Sequence, residues 1–112
     1  MEINHMQKLV HNWIINHGIR YFNILTNTIL LSEEVGEVSK IIARKYGEQS
    51  ERKNCKNISI ENLGEELSDV LFILLCLANQ TGIDLEKSFH NKLEKKKKRD
   101  HIRHHNNEKL KQ

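Results

Sequence analysis

Hydrophobic residues recur along the chain at the three- and four-residue spacing of α-helices, in four separate segments. The spacing predicts helices over Ile3 to Asn16, over Phe22 or Asn23 to Tyr46, over Ser59 to Thr81 or Gly82, and from just after Asp84 through Arg99. Asp84 is a favourable N-cap residue, which supports a helix start at that point. The chain is therefore predicted to be all-α.

The connections between these segments are short, which predicts a four-helix antiparallel bundle. The longest of them, Gly47–Asn57, is polar and is expected to be a loop. Residues 1–100 are predicted to form one domain. Residues 101–112 form a polar, basic tail that we expect to be frayed or disordered.

The third predicted helix is apolar on nearly every face between Val70 and Ala78. A single small bundle does not usually cover a helix on all sides. Contact with a second copy of the chain would do so, and we therefore expect the protein to oligomerise through its helices.

The composition agrees with a globular helical protein. The 112 residues include no proline and five glycines, with 38% hydrophobic and 29% charged residues. Cys55 and Cys76 have no paired partners and are expected to be free thiols in a reducing compartment, with Cys76 in the core. No signal peptide is evident, and the longest apolar run is far shorter than the ~20 residues of a membrane span. A cytoplasmic protein without a membrane segment is expected.

Acidic residues interrupt two of the apolar helix stripes. In the segment SEEVGE (residues 32–37), the glutamates lie on a helix that is otherwise apolar on one side. Positions i, i+4, i+7 and i+11 share one face of a helix. One such stripe consists of Leu30, Glu34, Glu37 and Ile41, and a second consists of Asn62, Glu66, Asp69 and Ile73. Two carboxylates on each stripe are thus predicted to point towards the core.

Carboxylates at such positions need either protons or cations, because burial of an unpaired charge is unfavourable. Two pairs of carboxylates on facing helices would supply four oxygen ligands, which suits Mg²⁺ or Mn²⁺ better than Zn²⁺. Glu33 and Glu65 are adjacent in sequence and are candidates for further ligands or a base. The alternative is that all of these acids are solvated. A single pair of acids at this spacing would favour that alternative, but two pairs on apolar stripes of consecutive helices favour the buried arrangement.

The fourth helix begins its core stripe with Leu85 and Phe89 and continues it with basic residues. These are Lys92, Lys96 and Arg99, which are candidates for binding phosphate oxygens. A solvated charged tail is the alternative. No aromatic residues are interleaved for stacking on bases, so a nucleic-acid partner is not expected.

The acidic motifs resemble a known family. Glu34-Val-Gly-Glu37 and, after a spacer of 28 residues, Glu66-Leu-Ser-Asp69 are similar to the ExxE…ExxD signature of MazG-type nucleotide pyrophosphohydrolases. The strings LLSEEVGEVSK, RKYGE, EELSDVLFILLCLANQTGIDLEK and KKKKRD also resemble short stand-alone bacterial members, so that the similarity extends over residues 21–100.

The resemblance implies an all-α enzyme that forms a homodimer or a dimer of dimers. It would hydrolyse a (deoxy)nucleoside triphosphate to the monophosphate and pyrophosphate, in the house-cleaning of nucleotide pools. Glu34, Glu37, Glu66 and Asp69 would be the magnesium ligands, and Glu33 would activate the attacking water.

The resemblance also places Trp13, Tyr21, Phe22 and Asn23 near the nucleoside, although a core position is the commoner alternative for Trp13 and Phe22. The chain departs from some relatives, since Ile73 stands where they have a base-stacking aromatic residue and Lys96 where they have Asn. Two other functions remain open. One is hydrolysis of another pyrophosphate substrate such as phosphoribosyl-ATP, and the other is a non-catalytic helical interaction module.

Overall fold

A computed structural model of the chain describes residues 1–48 and 60–111, and all regular structure in these two ranges is helical. Four α-helices are present, as the sequence pattern predicted. They are α1 (Ile3–Trp13), α2 (Ile24–Tyr46), α3 (Ile60–Gln80) and α4 (Leu85–His105). A π-helical turn, Ile14–Gly18, follows α1, and a 3-10 turn, Glu108–Lys111, follows α4.

Side-chain caps fix the start of two helices. The Asn23 side chain accepts hydrogen bonds from the backbone N–H groups of Leu25 (2.7 Å) and Thr26 (3.4 Å) at the start of α2. Asp84 accepts one from the backbone N–H of Lys87 (3.0 Å), which confirms it as the N-cap of α4. The expected start of α3 at Ser59 and most of the predicted loop Gly47–Asn57 lie outside the described residues.

Two helix ends differ from the sequence pattern. The first helix changes at Ile14 from α to π geometry, which no hydrophobic spacing could indicate. The fourth continues to His105, past His101 where we expected it to fray. Asp100 contributes to this extension, because its carboxylate pairs with Arg103 one turn later (3.5 Å).

The core lies where α1 packs on α3, beside the hairpin that α2 and α3 form. Its buried residues are Val10, Ile14, Leu75 and Cys76. The expectation that Cys76 is a core residue is confirmed. Burial raises the pKa of the Cys76 thiol to about 11, so the group remains protonated and unreactive at neutral pH.

A polar network fastens α1 to the turn between α3 and α4. The Gln7 side chain donates to Asn79 Oδ1 (3.0 Å) and to the Ile83 carbonyl (2.9 Å), and it accepts from the Leu85 N–H (3.1 Å). Asn79 in turn donates to the hydroxyl of Tyr21 (3.1 Å). The network therefore also fixes the position of Tyr21.

Helix α4 departs from the body formed by α1, α2 and α3. The chain bends by 105° between α3 and α4, and α4 packs mainly against α1 near its own beginning. None of its residues is buried. The physical reason is the basic stripe, because the cost of burying lysine and arginine side chains keeps this seam away from the apolar body of one chain.

Within the part of the chain that the structure describes, no single helix is long and apolar enough to cross a membrane. Helices α3 and α4 meet that length and composition only when they are taken together across their bend.

The turn between α3 and α4 depends on Gly82, whose φ is +69°. A side chain at this φ costs about 1–2 kcal/mol, so we expect Gly82→Ala to lower the free energy of unfolding by that amount. Gly64, within α3, is the matched control. Neither glycine has a neighbour within 4 Å of an added Cβ, and Gly64→Ala should stabilise by up to about 1 kcal/mol. Urea unfolding measures both, and equal effects would contradict the prediction.

Candidate active site

Three of the four predicted carboxylates converge where α2 and α3 face each other. Glu34 projects from α2, and Glu66 and Asp69 project from adjacent turns of α3. Each contributes one oxygen to a group of atoms that all lie within 4.8 Å of one another. We call this group the acidic cluster. Glu37, one turn after Glu34, is more exposed and lies outside this distance.

The acidic cluster carries unfavourable electrostatic energy. The pKa of Glu66 is raised, first by loss of solvation, then by the charges of Asp69 and Glu34, by a hydrogen bond with Glu34, and by the charge of Glu37. No ion pair among residues 1–48 and 60–111 connects a cation to any of these four acids. Among the described residues, the cluster therefore lacks a positive charge that would balance it.

The donor set fits a hard divalent cation. All three groups are carboxylates, and two oxygens bound to one Mg²⁺ at 2.0–2.1 Å lie at most about 4.2 Å apart. The observed separations need only small side-chain movements to reach that geometry. No His or Cys belongs to the cluster, which disfavours Zn²⁺. Glu34, Glu66 and Asp69 are thus suited to hold magnesium or manganese.

A cavity of about 430 Å³ opens beside the acidic cluster, and Glu34 and Asp69 form part of its wall. The rest of the wall is largely aromatic and aliphatic. The described lining residues are Trp13, Ile14, Gly18, Arg20, Tyr21, Phe22, Asn27, Leu30, Phe72, Ile73 and Cys76. The wall is therefore acidic at Glu34 and Asp69, and the segment between α1 and α2 supplies Gly18, Arg20, Tyr21 and Phe22 to it.

Aromatic side chains provide the flat surfaces of the cavity. The rings of Trp13 and Phe72 meet edge to face, with centroids 5.5 Å apart. Trp13 is 52% exposed and Phe22 is 61% exposed, so neither takes the core position that we considered the commoner alternative. Ile73 stands where some relatives have an aromatic residue. The neighbouring residue, Phe72, supplies an aromatic ring to the same cavity wall. Amphipathic spacing alone does not distinguish Phe72 from a core residue.

The segment between α1 and α2 is held in a strained turn. Ile19 has φ 70° and ψ −54°, and the Arg20 N–H donates to the Gly18 carbonyl (2.8 Å) across it. This is the rare form of γ-turn, and it is unfavourable for a β-branched residue. The turn reverses the chain after the π-helical segment. It thereby places Arg20, Tyr21 and Phe22 along one side of the cavity.

Arg20 is the one cationic side chain among the described residues that line the cavity. Its guanidinium donates to the Tyr21 carbonyl (3.0 Å) and forms no ion pair within the described ranges. Analysis of the sequence missed Arg20, because a single basic residue outside any helix stripe carries no periodic signal. The strained turn, which places it, has no sequence signature either.

Several predicted substrate-binding residues lie elsewhere. Lys92, Lys96 and Arg99 are exposed on α4 and do not line the cavity, and Arg99 pairs with Asp100 (2.8 Å). Asn23 uses its side chain to cap α2. Glu33 is exposed on α2, next to Glu34 in sequence but outside the acidic cluster. Of the predicted nucleoside contacts, Trp13, Tyr21 and Phe22 do line the cavity.

Comparison with protein families matches residues 22–104 to the MazG nucleotide pyrophosphohydrolase domain. This range contains all of α2, α3 and the acidic cluster. A curated relative is the uncharacterized protein YpjD from Bacillus subtilis (strain 168), which is 40% identical over 68 residues. The match covers 61% of this chain and 59% of that protein, so this chain spans less than two thirds of its relative.

Two crystal structures are similar in fold. YPJD from Bacillus subtilis superposes with a TM-score of 0.73 at 30% identity, covering 85% of this chain and 94% of the other. The Bacillus-conserved MazG protein, a nucleotide pyrophosphohydrolase, gives a TM-score of 0.70 at 33% identity, covering 85% of this chain and 88% of the other.

Proposed function

Because this chain belongs to the MazG nucleotide pyrophosphohydrolase family, we propose that it hydrolyses nucleoside triphosphates to the monophosphate and pyrophosphate with Mg²⁺ or Mn²⁺. The observation that carries the proposal is the position of the acidic cluster at one end of an aromatic cavity. Carboxylates suit a cation that binds phosphates, and aromatic rings suit a nucleobase. A cytoplasmic role in nucleotide-pool house-cleaning is part of the same proposal.

We assign the following roles to the residues of this chain. Glu34, Glu66 and Asp69 would hold the cation, with Glu37 as a further ligand within reach of small movements. The bound cation would neutralise charge on the phosphate oxygens. Glu33 is proposed to accept the proton of the water that attacks the α-phosphorus, and the bond to the leaving pyrophosphate breaks opposite the water. Trp13 and Phe72 would hold the base.

A substrate panel tests the proposed function. The chain is incubated with each common ribo- and deoxyribonucleoside triphosphate, with oxidised and deaminated forms, and with phosphoribosyl-ATP, in Mg²⁺ or Mn²⁺. Pyrophosphate and the nucleoside monophosphate are both measured. Equal amounts of the two products, abolished by EDTA, are expected. No product from any compound would favour a non-catalytic interaction module, and product from phosphoribosyl-ATP alone would favour that substrate class.

Arg20 is expected to bind the substrate rather than to support the fold, since its guanidinium has no acidic partner in the described residues. Loss of a hydrogen bond to a charged group costs about 1.5–3 kcal/mol, so Arg20→Ala should raise KM about tenfold or more. Lys96→Ala is the matched control on α4 and should change KM less than twofold. A larger increase in KM for Lys96→Ala than for Arg20→Ala would instead support phosphate binding by the basic stripe of α4, which the sequence predicted.

We also propose a homodimer, or a dimer of dimers, formed through the helices. Leu67, Leu71 and Leu74 form a stripe on α3 and remain 40–52% exposed in the single chain. Such a stripe is a typical contact between copies of a chain. Light scattering should show a dimer, and Leu71→Lys should shift it towards monomer. A parent chain that is monomeric at micromolar concentration would contradict the proposal.

A further inference from the structure

Asn27 is a polar, buried residue in the wall of the cavity, and it has no role in the proposed hydrolysis. Asn27 is only 5% exposed, on a wall that is otherwise mostly apolar. It is also the one buried polar residue in the described part of the chain. Burial of a carboxamide is unfavourable unless its atoms are hydrogen-bonded, so Asn27 requires hydrogen-bond partners.

A chain of hydrogen bonds fixes the orientation of the Asn27 carboxamide. Gln80 approaches the backbone carbonyl of Phe22 at 2.6 Å, and only its Nε2 can donate there. Gln80 Oε1 therefore faces Asn27, which must donate through Nδ2 (2.8 Å). Rotation of either carboxamide by 180° would bring two acceptors or two donors together. The acceptor oxygen of Asn27, Oδ1, consequently has one defined position.

Asn27 Oδ1 faces the cavity. It accepts no hydrogen bond from the described residues, and none of their buried side-chain nitrogen or oxygen atoms lacks a partner. The atom must therefore be reachable by solvent, and the cavity is the open space that Asn27 lines. An oriented hydrogen-bond acceptor thus projects among aromatic rings.

Asn27 lies at the opposite end of the cavity from the acidic cluster. Asn27 precedes Glu34 by seven positions on α2, which corresponds to about 10 Å along the helix. A nucleotide whose phosphates lie at Glu34 would fill this length with its sugar and base. The edge of the base would then arrive at Asn27.

We propose that Asn27 determines base specificity by accepting a hydrogen bond from an N–H group of the nucleobase, and that Gln80 is the residue that positions it. The inference rests on the proposed function for the placement of the phosphates. The preferred ligands are nucleotides whose base presents an N–H at its inner edge. Bases alkylated at that nitrogen are discriminated against, since a buried acceptor would lose its partner.

Trp13 allows a binding measurement that is independent of hydrolysis. It is the only tryptophan in the sequence and lines the cavity, so its fluorescence should respond to a bound base. The four common nucleoside monophosphates are titrated first. The tightest is then compared with its analogue methylated at the base N–H: N3-methyl for uridine, N1-methyl for guanosine, and dimethylamino forms for adenosine and cytidine.

The parent chain is expected to bind the methylated analogue at least tenfold more weakly. The ratio of the Kd of the methylated analogue to the Kd of the unmodified nucleotide should fall below about two in Asn27→Leu. In Gln80→Leu the ratio should be intermediate between those of the parent and Asn27→Leu, although Asn27 is still present. Thr28→Val is the matched control on the exposed side of α2 and should keep the parent ratio. If Asn27→Leu does not fold by circular dichroism, Gln80→Leu carries the same test.

An unchanged ratio in Asn27→Leu, or no discrimination in the parent, would overturn the inference. So would the absence of any fluorescence change with all four nucleotides. Hydrolysis without discrimination would overturn the inference and leave the proposed function intact. Discrimination that depends on Asn27, in a chain that hydrolyses no triphosphate, would support the inference and overturn the proposed function.

Discussion

Glu34→Gln and Asp69→Asn are expected to slow pyrophosphate release from nucleoside triphosphates by about 10³-fold or more. Each change replaces a charged oxygen of the acidic cluster with a neutral amide of the same shape. A metal ion supplies several kcal/mol of transition-state stabilisation, and each ~1.4 kcal/mol corresponds to a factor of ten in rate. The rates are measured as kcat/KM at saturating Mg²⁺, with circular dichroism to verify folding.

Glu61→Gln is the matched control for this experiment. Glu61 is exposed in the first turn of α3 and does not belong to the acidic cluster. Its substitution by glutamine removes the same negative charge as the substitutions in the cluster. Its variant should keep kcat/KM within about twofold of the parent, as expected for a surface substitution. If Asp69→Asn were as active as Glu61→Gln, the acidic cluster would not be the metal centre.

The second large effect concerns stability in the absence of a divalent cation. In EDTA at pH 7.5 we expect Glu66→Gln to melt at a higher temperature than the parent, because it removes one of several mutually repelling carboxylates. Mg²⁺ should reverse this order. At a concentration ten times its Kd, the ion should stabilise the parent by about 1.4 kcal/mol, or about 5–10 °C in Tm. Glu66→Gln should gain much less.

The same pair of proteins has a defined pH dependence. The folded-state pKa of Glu66 lies above its unfolded value of about 4.5, so the fold disfavours its ionised form. Its destabilising effect is complete above the folded pKa and decreases as the pH falls towards the unfolded pKa. In EDTA, the difference in Tm between Glu66→Gln and the parent should therefore shrink from pH 7.5 to pH 4.5. A difference that grows with acidification would contradict the raised pKa.

The acidic centre was predictable because it follows a single rule. Residues spaced by three and four share a helix face, and two such faces with carboxylates at core positions must meet in a helical hairpin. The rule predicted the convergence of Glu34, Glu66 and Asp69. The same rule placed Glu37 on the stripe of Glu34. However, a shared stripe does not specify how far each residue lies from the contact between α2 and α3. Glu37 is accordingly exposed and lies outside the acidic cluster.

Other parts of the cavity wall were not predictable in this way. Arg20 is placed by the γ-turn at Ile19, and Asn27 is oriented by Gln80, 53 residues later in the chain. The first arrangement depends on an irregular local turn and the second on a tertiary contact, and neither follows a periodic pattern. The basic stripe of α4 was extrapolated from Leu85 and Phe89 as though the helix continued along the body. The 105° bend at Gly82 and its neighbours shows why that extrapolation does not hold within one chain.

The bend before α4 separates two parts of the sequence that can change independently. Among the described residues, the acidic cluster and the aromatic cavity are built by α1, α2, α3 and the segment between α1 and α2, while the hydrogen bonds between α1 and α4 involve Leu85 and Glu86 at the start of α4. No described residue of α4 beyond about residue 93 lines the aromatic cavity or belongs to the acidic cluster. We therefore expect substitutions there to change the acidic cluster and the aromatic cavity of a single chain less than substitutions in α2 and α3 would.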